Sequence, residues 1–195
     1  MNQMFGTGQS VEVVGLGLLG ALLLTAVWHD IRSHRIPNVI VFWGAALGLL
    51  FHMGLTASSS AADVMPIGLG FLKSLAGLGV GLCALLPLYL LRGAAAGDAK
   101  LMAMVGAFLG PIDTFGAVLC TFVVGAILAI VIAVRAGVFA KMLTNVRLIL
   151  FGAAAKLAAV DGPAFNPRTD TTAKVPYALA IAFGTATWLS LRYFH

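Results

Sequence analysis

The apolar positions of this chain come in long uncharged runs, separated by short connections that carry the charges, prolines and several glycines. A helix that crosses a bilayer needs ~20 mostly apolar residues. Residues 13–28 with their flanks form the first such run. Residues 39–55 form the second, opened by Pro37, a residue suited to a first helical turn. Residues 67–91 follow, with Lys73 near one end. Residues 101–109 are apolar but short and are stopped by Gly110-Pro111. Residues 115–134 are a clean span and 175–191 are the last. The pattern predicts an all-α polytopic membrane bundle of about six transmembrane segments, forming a single membrane-embedded domain over residues 1–195.

The stretch 136–174 breaks the pattern. Arg135 stands at its entrance, and Lys141, Arg147, Lys156, Arg168 and Lys174 lie within it. At helical spacing Lys141, Thr144 and Asn145 share one side, while Val138, Phe139, Met142, Leu143 and Val146 fall mostly on the other. That reads as a helix lying in the interface or as a solvated linker. Asp161-Gly162-Pro163 ends it, and Asn166-Pro167 continues a loop.

Composition narrows the class further. Of 195 residues, 61% are hydrophobic and 10% are charged, and the mean hydropathy is +1.02. A soluble domain is ~45–50% apolar and ~25% charged. Twelve basic and seven acidic residues are too few to coat a soluble fold of this size, which argues against a cytosolic enzyme, a nucleic-acid binder or a disordered chain. The 23 glycines suit close helix contacts in lipid. Cys83 and Cys120 lie in apolar runs and form no CxxC, so neither a zinc ribbon nor a redox pair is expected. Met1 to Met4 carry no basic residue, and the first is Arg32, so the run at about 11–28 is expected to stay in the mature protein.

The +5 net charge is unevenly spread. With the N-terminus outside, the inner connections are 29–38, 92–100 and 135–174, and they hold ten of the twelve basic residues. The outer connections near 56–63 and 111–114 hold none; only Lys73 and Arg192 fall elsewhere. Cytoplasmic loops carry the excess of Lys and Arg, which gives one orientation. Removing the short fourth segment would strand 135–174 on the wrong face, so the charges themselves argue for the fourth crossing.

Few residues are candidates for chemistry. Glu12, Asp63 and Asp113 fall on the outer face and Asp161 and Asp170 in the long loop, leaving Asp30 and Asp98 at the inner mouths of the first and fourth spans. Ionisable residues at the edge of a helical bundle are functional candidates. Asp30 follows Val27-Trp28-His29 at a helix C-terminus, where a negative charge opposes the macrodipole. Its bland alternative is a surface pair with Arg32 or Arg35, of little worth. Asp98 reads first as a helix N-cap, but it follows Gly93-Ala94-Ala95-Ala96-Gly97, a stretch without bulk that admits another backbone. Two converging carboxylates cannot both ionise cheaply; they share a proton and can act together as base and acid. Such a pair suits peptide hydrolysis without a metal, or a proton or cation pathway. His29 and His34 are expected to be interfacial loop histidines, and His52 and His195 to lie at or beyond the outer face. No HExxH spacing supports zinc.

The segment Asp30-Ile-Arg-Ser-His-Arg-Ile-Pro37-Asn38 resembles the first motif of the type IV prepilin peptidases, an Asp followed by six residues and Pro-Asn. Gly97-Asp98-Ala-Lys100-Leu101 resembles their second motif, the one that names the GxGD aspartic proteases. Pro176-Tyr177, opening the run to Gly184, resembles the Pro-aromatic start of their last helix. The resemblance implies an intramembrane aspartic endopeptidase of the bacterial cytoplasmic membrane, with Asp30 and Asp98 as catalytic dyad. It implies Pro37, Asn38, Gly97, Lys100, Pro176 and Tyr177 as substrate-binding or site-shaping residues. Lys100, two residues from Asp98, cannot face it on a helix and is expected to meet substrate, lipid or the other Asp. The implied partners are a prepilin or pseudopilin precursor and membrane lipids, with no nucleic acid, no metal and no cofactor. The precursor would be cut at the cytoplasmic face. The motif asks for Gly at position 95, where this chain has Ala95. Larger members carry an insert with paired CxxC motifs linked to pilin N-methylation; this chain has no CxxC and resembles the short members of tight-adherence pilus systems. The rival readings are a small proton-coupled transporter and a non-catalytic assembly subunit.

Overall fold

The computed structural model describes residues 4–33, 36–58, 67–90, 94–140, 143–144, 146–147 and 177–194. Its helices are α1 (Met4–Ser33), α2 (Asn38–Ser58), α3 (Ile67–Leu90), α4 (Ala96–Leu109), α5 (Pro111–Arg135) and α6 (Tyr177–Phe194). There is no strand among the described residues, as the hydrophobic runs predict. Val13–Ser33, Leu69–Leu90 and Pro111–Arg135 are long and apolar enough to cross a membrane, and α2 carries a shorter apolar stretch over Asn38–Met53. This is a membrane helical bundle.

The chain divides into two compact units, one formed by Met1–Val124 with Pro176–His195 and one by Gly125–Val175. In the first unit α4 is the hub, packing against α1, α2, α3 and α6. Every residue of α4 from Leu101 to Leu109 is buried. A helix that is apolar all round belongs inside a core, which explains how α4 can be only 14 residues long. At 1.5 Å per residue it covers roughly 21 Å, less than the ~30 Å hydrocarbon core, but it is sheathed by protein rather than lipid. Trp28, Phe42, Trp43, Ile112, Phe115 and Val123, each at least 60% exposed, turn outward from the peripheral helices. That is the surface a lipid solvent requires.

Glycine sets the closest contact. A Cβ on Gly77 of α3 would run into the Gly106 carbonyl oxygen of α4, and a Cβ on Gly106 into the Gly77 carbonyl. Backbones can approach this closely only where both residues lack side chains. The Ser74 hydroxyl donates to the Ala107 carbonyl across the same seam at 2.6 Å. Between α4 and α5 the chain turns at Gly110, whose φ of 78° lies in the left-handed region favoured by glycine. Pro111 then opens α5 at the position where a missing N–H costs nothing.

In the second unit the latter part of α5 ends in a Schellman motif. Val138 N–H bonds to Ala133 O at 2.9 Å and Gly137 N–H to Val134 O at 3.1 Å, with Gly137 at φ 67°. Beyond it, positions 139–140, 143–144 and 146–147 are helical, and Phe139, Leu143 and Val146 are exposed. The remainder of the expected interfacial helix over 136–174, including Lys141, lies outside the described residues, as do Pro176, His34, Arg35 and His195.

Candidate active site

Beyond Gly15, the buried positions described on α1 are Leu19, Leu23, Ala26 and Asp30. They are spaced by four, three and four residues, so they form one stripe. The stripe that carries α1 against the bundle therefore also carries the Asp30 carboxyl inward. Asp30 is 8% exposed, which sets aside the surface pairing with Arg32. His29 and Arg32, its neighbours, are exposed.

Asp30 takes its partner from the far end of the sequence. The Ala178 backbone N–H donates to Asp30 Oδ2 at 3.3 Å. Ala178 is in the first turn of α6, where N–H groups have no intrahelical acceptor and the helix dipole favours an anion. One carboxylate thus satisfies an orphan donor and ties α1 to α6.

Asp98 reaches the same end of the bundle on α4. The sequence suggests Asp98 as N-cap, but the cap is Ala95, and Asp98 is the third helical residue. Its Oδ2 accepts the Ala95 N–H at 2.9 Å, the carboxylate half of a capping box. Ala95 has φ −81° and ψ 155°, extended backbone that any residue adopts, so alanine meets no conformational obstacle where the motif asks for glycine. Asp98 is 5% exposed. It lies within Coulombic range of Asp30, and the half-buried Tyr177 lies within Coulombic range of Asp98. The two carboxylates, from the C-terminal turns of α1 and the first turn of α4, converge beside the start of α6.

The other motif residues surround this pair. Asn38, the first residue of α2, is exposed, and its Oδ1 accepts a hydrogen bond from Lys100 Nζ at 3.1 Å. Lys100, expected to meet substrate, lipid or the other Asp, makes this hydrogen bond to the first motif. The Pro37 carbonyl accepts the Ile40 N–H at 3.1 Å, beginning α2. A Cβ on Gly97 would meet only Ile36, no closer than 3.4 Å, so protein packing does not account for this glycine. Among the described residues, no three His, Cys, Asp or Glu side chains gather as a metal site, and Cys83 and Cys120 are free thiols.

Residues 17–134 match the model of the type IV leader peptidase family. The chain belongs to that family. No curated protein and no solved structure matches it. As a type IV leader peptidase it is a membrane peptidase, and the matched stretch contains both Asp30 and Asp98. It ends before α6, so Tyr177 and Ala178 join the site through the fold. Sequence reasoning missed Ala178, because a backbone donor leaves no side-chain signal. His52, expected at or beyond the outer face, is buried against the bundle in the later part of α2.

Proposed function

We propose that this leader peptidase is an aspartic-type endopeptidase that removes the leader of a type IV pilin-like precursor at the cytoplasmic face of the bacterial inner membrane. The observation that carries this reading is the convergence of two buried carboxylates, Asp30 and Asp98, within Coulombic range at one end of the bundle. The orientation rests on the sequence, in which the connections 29–38, 92–100 and 135–174 carry ten of the twelve basic residues, with the N-terminus outside and about six crossings.

Two carboxylates held together share one proton. The ionised member takes a proton from a water, which attacks the scissile carbonyl carbon. The protonated member gives its proton to the leaving amine as the C–N bond breaks. The pair ends with one proton, as it began, and no metal or cofactor is needed. The Ala178 and Ala95 N–H groups each hold one oxygen of a carboxylate, which orients the acids before substrate arrives. Gly97, which carries no side chain beside Ile36, would let an extended substrate backbone come close. Pro37, Asn38 and Lys100 shape the rim between α2 and α4, and Tyr177 shapes the side where α6 begins, with Pro176 assigned to the site by the sequence resemblance alone. The family match supports a peptidase over a transporter or an assembly subunit.

The test is cleavage of a pilin precursor in membranes by Asp30→Asn and Asp98→Asn, each alone, with mass spectrometry of the new N-terminus. Losing a general acid or base costs on the order of 10²–10⁴ in rate, so both variants should leave the precursor uncut. Normal processing by either one would remove that residue from the dyad.

A further inference from the structure

Lys73 and Arg192 are the two basic residues that the charge asymmetry of the connections leaves unexplained. They are far apart in sequence, in the second turn of α3 and the last turn of α6, yet they line one cavity of about 390 Å³. Asp113, Trp188, Ile112 and Leu191 complete much of its wall. The helix directions put this cavity at the end of the bundle away from Asp30 and Asp98: Lys73 and Asp113 lie near the starts of α3 and α5, and Leu109 closes α4.

The charges in the cavity do not balance. Both oxygens of Asp113 are engaged, Oδ1 by Trp188 Nε1 at 3.3 Å and Oδ2 by an ion pair with Arg192. Lys73 lies across the Gly110 turn, where a Cβ would come within 3.0 Å of its Cε, and makes no ion pair with a carboxylate among the described residues. An adjoining cavity of about 230 Å³ is lined by the same three charged residues, with His52 and Tyr193. Among the described residues the site therefore offers an ammonium with no carboxylate partner and the unused N–H groups of an exposed guanidinium beside an apolar wall. Arg and Lys suit phosphate oxygens as fork and point charge, and a cavity of ~300–1,000 Å³ accommodates a small-molecule group.

We infer that this cavity binds the phosphate headgroup of an anionic phospholipid in the leaflet at the end opposite the two acids. Charge complementarity selects an anion. The exposed apolar residues of the lining, Ile112 and Leu191, select one that carries acyl chains. The inference is independent of the peptidase reading, and its test needs no substrate.

The thermal midpoint of the full-length protein in neutral detergent should be followed during titration with phosphatidylglycerol, phosphatidylcholine or inorganic phosphate. Phosphatidylglycerol should raise the midpoint by several degrees, and the other two should not. Lys73→Gln should weaken the apparent affinity about fivefold, the order expected for one Lys near an anionic headgroup, while Lys73→Arg should retain it. Arg135→Gln, outside the cavity, controls for basic residues elsewhere and should leave the Lys73-dependent part unchanged. Equal shifts with phosphatidylcholine, or an undiminished shift in Lys73→Gln, would overturn the site. Equal shifts with inorganic phosphate would overturn the lipid as its occupant. If Lys73→Gln does not fold, Lys73→Met, which also removes the charge, is read by the same criterion.

Discussion

Lys100 of the second sequence motif donates a hydrogen bond to Asn38 of the first, at 3.1 Å. The contact joins the start of α2 to the first turns of α4, and so fixes the segment after Asp30 relative to Asp98. Hydrogen bonds to charged groups contribute ~1.5–3 kcal/mol, with exposed ones at the low end. Asn38→Leu and Lys100→Met should each slow precursor cleavage roughly tenfold, while Asn38→Asp, which keeps an acceptor, should stay within a few fold of wild type. Time courses of leader removal in membranes check this, and an Asn38→Leu enzyme at full rate would sink it.

The Ala178 N–H bond to Asp30 gives a backbone prediction. Ala178→Pro removes the donor in a first helical turn, where no intrahelical bond is lost. Ala178→Gly keeps the donor. Losing a bond to a charged acceptor corresponds to ~1.5–3 kcal/mol. The proline variant should therefore fall at least tenfold in cleavage rate, with helix content by circular dichroism retained, and the glycine variant should remain active.

Ala95 occupies the position where the motif asks for glycine, and its backbone is extended. Ala95→Gly should leave cleavage within about twofold of wild type, because no positive φ is relieved, and glycine is tolerated at least as well as alanine at an N-cap. A tenfold gain would show that the Ala95 methyl obstructs the substrate.

Glycines in α1 and α4 should respond very differently to the same change. Gly106→Ala pushes a Cβ onto the Gly77 backbone, where no flexible side chain can give way. It should lower the yield of folded protein sharply and the thermal midpoint by many degrees. Gly17 and Gly20 of α1 have nothing within 4 Å of an added Cβ, so alanine there should be neutral or stabilising by roughly 0.5–1 kcal/mol through helix propensity. Thermal scans of the three variants separate close packing from propensity.

The helices were legible because lipid leaves a backbone few options: an uncharged run must satisfy its own N–H and C=O groups, and the helix does so locally. The run 13–28 lies within α1, and 115–134 lies within α5. The short run 101–109 was the hardest to interpret by length, and it is the fully buried α4. Length measures exposure to lipid, and α4 has little. Asp98 was legible as a capping residue but not as the third residue of its helix, since Ala95 carries no capping side chain to announce the start.

Composition and the order of residues determined a helical membrane protein, its run boundaries, its charge asymmetry and the two acids worth attention, because hydropathy and charge act along the chain itself. Tertiary structure alone decided that Asp30 takes the Ala178 N–H, that Lys100 takes Asn38, and that Lys73 and Arg192 share a cavity. Those relationships depend on which faces of distant helices meet. That is settled by close packing around α4, through pairs such as Gly77 and Gly106, and no single segment encodes it.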